Sequence, residues 1–137
     1  MNPKRRLLVI LLRLGGVATA SAFLAILLPR DWMASTHEWL GLGEFPRAPV
    51  VDYLARSVAA LYGFHGVFLL IVSRDVVRFR PLVTFIGILN LAFGLIVTAI
   101  DLHAPMPTFW TLVEGPPIAL FGVAILYLRR SVPAPAQ

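Results

Sequence analysis

The sequence predicts an all-α membrane protein: a bundle of four transmembrane helices with a short interfacial segment between helices one and two. Three observations predict it. Of 137 residues, 58% are hydrophobic and only 14% charged, against about 25% charged in a typical soluble domain. The mean hydropathy is +0.82. The apolar residues gather into four runs, and the basic residues gather at the ends of those runs on one side. So little polar surface does not cover a water-soluble globule, and lipid must cover the rest.

The first run, 7–28, is interrupted only by Arg13 and stopped by Pro29. Its lead-in, Lys4-Arg5-Arg6, and the small residues Ala18-Thr19-Ala20 also resemble a secretory signal peptide. The apolar stretch continues through Phe23–Leu28, where a mature secreted chain turns polar, so an uncleaved first helix is expected. The second run, 54–72, follows Asp52 and carries Arg56 and His65. The third, 82–100, has Pro81 at its first turn and Asp101 at its end. The fourth, 111–128, has Glu114 near its start and Arg129-Arg130 behind it. A helix rising about 1.5 Å per residue needs about 20 residues to cross hydrocarbon. Backbone groups there have no water to bond, so runs this long must be helical. None alternates as a barrel strand does.

The link 29–53 holds Trp32, Met33, Trp39, Leu40, Leu42 and Phe45 among Asp, Glu and Gly. Tryptophan favours the headgroup layer, because its ring is apolar and its N–H needs a partner. A short interfacial helix through Glu38–Leu40 is expected, capped by Asp31 and ended by Gly41 or Gly43. The tail 131–137 is expected to be disordered. Lys4, Arg5, Arg6, Arg13, Arg74, Arg78, Arg80, Arg129 and Arg130 are nine of the twelve basic residues, and all fall on one side. That side is expected to be cytoplasmic. The reading is of a multi-pass inner-membrane protein with both termini inside.

Several function classes fall away. No cysteine exists for a disulfide, a thiolate nucleophile or an iron–sulfur cluster. The net charge of +5 forms no basic stripe with interleaved aromatics, so no nucleic-acid partner is expected. No phosphate-binding glycine loop, HExxH, GxSxG or EF-hand loop occurs. Neither a metal nor a cofactor is expected. His65, deep in helix two, lacks a second histidine at its depth for haem ligation, and is read as an interhelical or oligomer contact.

Membrane helices associate through small residues and polar contacts. Helix one offers Gly15, Ala18, Ala22 and Ala25; helix two offers Arg56, Ala59, Gly63 and Gly66. Helix three offers Gly87, Asn90, Gly94, Thr98 and Asp101, and helix four Glu114, Ile118, Gly122 and Ile125. Asn90 is expected to bond across helices. Arg56, Asp101 and Glu114 are expected at similar depth near the outer surface. A cluster of Arg56 with Asp101 or Glu114 is expected there, joined by Tyr62, Trp110, His103 and Tyr53. It reads either as an ion pair pinning helix ends or as a polar pocket.

Ala55-Arg56-Ser57, Leu61-Tyr62-Gly63, the run Asp101-Leu102-His103-Ala104-Pro105-Met106-Pro107 and Glu114 together resemble the small four-helix bacterial membrane proteins grouped with the DoxX-like families. That resemblance covers roughly 54–128 and implies an Arg and a Tyr-Gly pair in helix two, an Asp–Pro turn after helix three and an acid in helix four. The Trp-rich first link departs from the compact pattern. A fainter likeness is to four-helix sterol-isomerase and sterol-binding proteins, whose acids face a central pocket. Two functions are therefore carried forward. One is a non-catalytic accessory or assembly subunit, or a lipid-binding module, whose partners are membrane lipids, a second copy or a larger complex. The other is an isomerase-type enzyme acting on a sterol- or isoprenoid-like substrate, with Asp101, His103 and Glu114 as acid–base candidates.

Overall fold

A computed structural model describes residues 2–104 and 106–133. Among them the chain is all-helical: α1 (Pro3–Ala20), α2 (Phe23–Ile26), α3 (Arg30–Trp39), α4 (Pro49–Val72), α5 (Arg80–His103), α6 (Thr108–Val113) and α7 (Gly115–Arg129). Prolines punctuate them. Pro3 and Pro49 open α1 and α4, Pro29 and Pro107 hold the N-cap positions of α3 and α6, and Pro81 and Pro116 sit in the first turns of α5 and α7. A missing N–H costs nothing at a first turn, and the fixed φ suits a helix start.

Four stretches are long and apolar enough to cross a membrane: Pro3–Ile26, Pro49–Val72, Arg80–His103 and Thr108–Arg129. The helices run past the apolar runs that predict them. Three further residues close α5 and five further residues open α4, because a helix needs only compatible residues, not apolar ones, to continue. Two spans are broken inside. After Ala20 the backbone tightens into i+3 bonds, Ala22 to Thr19, Leu24 to Ser21 and Ala25 to Ala22. The second break falls at Glu114, between α6 and α7. Pro116 and Pro117 have no N–H to give the Leu112 and Val113 carbonyls, so a continuous helix loses two bonds there. The predicted tail 131–137 falls largely outside the described residues, since only 131–133 are described.

The chain divides into two compact units, one of residues 1–13 and 71–137, the other of residues 14–70. In the first, α5 and α7 meet along their glycines. A methyl group added to Gly94 would come within 3.0 Å of the Ala119 backbone, and one on Gly122 within 3.0 Å of the Leu91 backbone. Gly115 faces Thr98 in the same way, and Gly87 faces Leu126. The contact thus pairs an ascending series on α5 with a descending one on α7, as two antiparallel helices require. Gly115 and Ala119 were not on the face expected of the fourth helix; Gly122 was. Leu8, Leu12, Val72, Val76, Val83, Ile86 and Ile125 are fully buried in this unit. Its basic end is tied by Arg80 Nε donating to the Val132 carbonyl and Lys4 Nζ to the Tyr127 hydroxyl. Asp75 accepts from the Val77 and Arg78 amides and fixes the turn before α5.

In the second unit, α1 and α2 meet α4. A methyl group on Gly66 would strike the Ala20 backbone, and one on Gly63 the Phe23 ring. Phe23 also stacks edge-on against Phe64. The stripe on the first span is therefore Gly16, Ala20 and Phe23, not the expected Gly15, Ala18, Ala22 and Ala25, and Ala18 is exposed. Adjacent residues differ by about 100° around a helix, so a shift of one position turns the contact onto a different face. The link forms α3 as expected, but Pro29 rather than Asp31 holds its N-cap position, and Asp31 lies within the first turn. Its C-terminus is a Schellman motif: Gly41 N–H bonds the Glu38 carbonyl and Leu42 N–H the His37 carbonyl. The φ of +71° at Gly41 is a conformation that glycine adopts without steric cost.

Candidate functional site

In the 14–70 unit the polar groups surround the C-terminal end of the first span. A helix end leaves carbonyls without N–H partners, and Pro29 cannot supply one. Arg56, on α4, donates from its guanidinium to the Ile26 and Leu28 carbonyls, the latter at 3.0 Å. The arginine therefore caps another helix from a distance. Arg30 does similar work for the link. It pairs with Asp52 in the first turn of α4 at 2.5 Å, donates to the Pro46 carbonyl at 2.6 Å, and lies over the Phe45 ring. Tyr62 and His65 are half-buried on α4, and each is engaged in a noncovalent contact. Tyr53 is exposed. Arg30 and Asp52 were not expected as a pair; opposite charges 22 residues apart in the sequence carry no periodic signal linking them.

In the other unit α5 carries Asn90, Asp101 and His103. Asn90 is buried and donates to the Ile86 carbonyl one turn back at 2.9 Å. Thr98 donates to the Gly94 carbonyl at 2.7 Å in the same manner. His103 lies exposed, with Nδ1 donating to the Ala99 carbonyl at 2.7 Å. Asp101 is only 7% exposed, and its Oδ2 meets no hydrogen-bond donor. Glu114, half-buried at the break between α6 and α7, interacts with the Trp110 side chain and electrostatically with Asp101. The packing of Gly115 on Thr98 sets the α6–α7 break that carries Glu114 against the last turns of α5 that carry Asp101, while the guanidinium of Arg56 is engaged by carbonyls of its own unit.

A shallow apolar groove of about 500 Å³ runs along the last turns of α5, lined by Ile96, Ala99, Ile100, His103 and Ala104. It is open and carries neither carboxyl group. At about 100° per residue, Asp101 lies well around the helix from the groove, on the stripe of Gly94 and Thr98 that faces α7. Proximity of Asp101 to His103 in sequence therefore does not place them on one working face.

Comparison of the chain with protein-family models, curated proteins and solved structures gives no significant match.

Proposed function

We propose that the chain is a non-catalytic, multi-pass inner-membrane protein, its four helices bundled in the bilayer and both termini cytoplasmic. It serves as an accessory or assembly subunit, or as a lipid-binding module. One observation carries this reading: polar side chains of the spans bond backbone carbonyls, while large apolar side chains point outward. Arg56, Thr84, Asn90 and Thr98 each donate to a carbonyl of the chain. Leu24, Leu61, Phe64, Phe85, Leu95, Ile96 and Leu120 are all exposed. What such a molecule offers its surroundings is apolar surface, which suits lipid tails or a partner helix. The resemblance of Arg56, Tyr62-Gly63, Asp101 and Glu114 to the DoxX-like pattern belongs to the same proposal.

Native mass spectrometry from a mild detergent tests it. The expected spectrum holds the chain with retained lipid, a second copy or a partner subunit. A bare monomer under every mild condition would overturn the reading.

A second reading has one observation in its favour. Asp101 and Glu114 stand on stretches that pack together through Thr98 and Gly115, as an acid pair of an isomerase acting on a lipophilic substrate would. Turnover of a sterol- or isoprenoid-like substrate that disappears in Glu114→Gln, with thermal stability kept, supports it. Loss of stability alone returns Glu114 to a structural role.

A further inference from the structure

All nine basic residues expected on one side of the membrane belong to the unit of residues 1–13 and 71–137. Two ties gather them. Lys4 Nζ meets the Tyr127 hydroxyl at 3.5 Å and lies 5.2 Å from the centre of its ring, which sets the first turn of α1 beside the last turn of α7. Arg80 Nε donates to the Val132 carbonyl at 3.0 Å. That contact brings the start of α5, and the turn holding Arg74 and Arg78, to the same end.

Little in the unit answers this charge. The acid of that end is Asp75, and its Oδ1 is taken by the Val77 and Arg78 amides. Asp101 lies about 30 Å along α5 from Arg80, and Glu114 about 20 Å along α7 from Arg129, at 1.5 Å per residue. Arg5 adjoins Lys4, and Arg129 follows Tyr127 by two residues, so both belong to the gathered end. The Nε of each is shielded from solvent and meets no acceptor, and among the described residues neither guanidinium pairs with an acid. A guanidinium presents its N–H groups as a fork that fits two oxygens of one phosphate. The cluster calls for an anion from outside the chain.

The face of α1 indicates which anion. Arg6, Ile10 and Arg13 recur at spacings of four and three, which is one helical stripe, and all three are exposed. Leu7 beside them is 53% exposed. Arg13 stands about 10 Å further along the helix than Arg6, among apolar side chains. A charge at that depth in a span is stable where it reaches back to the interface. A soluble anion or an acidic protein meets only the tip of this cluster. A phospholipid brings its phosphate to the tip and its acyl chains along Leu7 and Ile10. Basic clusters where membrane helices end select anionic headgroups.

We infer that the basic end of this unit binds an anionic phospholipid, with Arg5 and Arg129 on the phosphate and the Arg6–Ile10–Arg13 face of α1 along the acyl chains. Arg13 reaches back to the same headgroup layer. The inference rests on the membrane reading proposed above and deepens it, since it names the class of lipid and the residues that select it.

The test is thermal unfolding of the full chain in dodecyl maltoside at matched ionic strength, with phosphatidylglycerol, phosphatidylcholine, inorganic phosphate or polyglutamate added in turn. A ligand bound only by the folded state raises Tm. Phosphatidylglycerol is expected to raise it by several degrees more than phosphatidylcholine, with saturation, while phosphate and polyglutamate leave it unchanged. Arg5→Gln combined with Arg129→Gln is expected to abolish that difference. Arg47→Gln, at an exposed cation of the first link, is expected to keep it. Where the double variant does not fold, Arg6→Gln combined with Arg13→Gln makes the same comparison on the exposed face. A difference that survives in either double variant, or that is lost in Arg47→Gln, overturns the proposal. The same rise from phosphate or from polyglutamate overturns it too, by assigning the cluster to a soluble anion or to an acidic protein. An equal rise from both lipids overturns this inference and leaves the lipid-binding reading standing; a Tm that neither lipid moves counts against both.

Discussion

Arg56 illustrates how one side chain relieves a difficulty created elsewhere. Pro29 stops the first span and leaves its last carbonyls without donors in surroundings where water is scarce. A planar guanidinium with several N–H groups bonds two of them at once. Removing it leaves part-buried acceptors unsatisfied, which costs more than the bonds themselves contribute. Arg56→Ala is expected to lower stability by about 2–3 kcal/mol, and Arg56→Lys by less, since an ammonium keeps the charge but not the fork. Denaturation in detergent micelles followed by tryptophan fluorescence measures both. A loss under about 0.5 kcal/mol for Arg56→Ala, the range of an ordinary surface change, counts against a capping role.

At the level of the helix, glycine sets how closely two backbones approach. Between α5 and α7 the series Gly87, Gly94 and Thr98 meets Gly115, Ala119 and Gly122. Between the first span and α4 the contact is Gly16 and Ala20 against Gly66. The neighbour at Gly94, Gly122 and Gly66 is backbone, which does not rotate aside as a side chain does. Gly94→Ala, Gly122→Ala and Gly66→Ala are each expected to destabilise by about 1–3 kcal/mol, the usual cost of overpacking. Ala18→Leu, on the exposed face of α1, is expected to stay within about 0.5 kcal/mol. The same chemical unfolding series checks the set, and equal losses at Ala18 and Gly66 would sink the assignment of faces.

For the molecule as a whole, the proposed topology puts both ends of the four long apolar helices on one side of a membrane, the side on which nine of the twelve basic residues are expected. The cysteine-free sequence makes each introduced thiol a unique reporter. In intact cells, Gly43→Cys in the first link is expected to react with a membrane-impermeant maleimide. Arg78→Cys and Ser131→Cys are expected to react only after the membrane is opened. Labelling of Arg78→Cys from outside would reverse the orientation. Trp39, 82% exposed at the end of α3, suits the headgroup layer that the same topology assigns to the link.

The number of long apolar helices, their approximate positions and the short helix after Pro29 were all legible in the sequence. Each depends on a local property: apolar length or proline placement. The glycine stripes of α4 and α5 were legible as well, because three- and four-residue spacing stays in phase along an unbroken helix. The partner of Arg56 was not legible, nor was the use of Gly16 in place of Gly15, nor the entry of Gly115 and Ala119 into the α5 contact. Arg56 meets carbonyls 28 and 30 residues away, and no periodicity reaches that far. Which of two adjacent residues faces a neighbour turns on about 100° of rotation, and the breaks at Ser21–Ala22 and Glu114 reset that phase within a span. Composition and spacing describe each helix by itself; the choice of facing residues arises only when two backbones settle against one another.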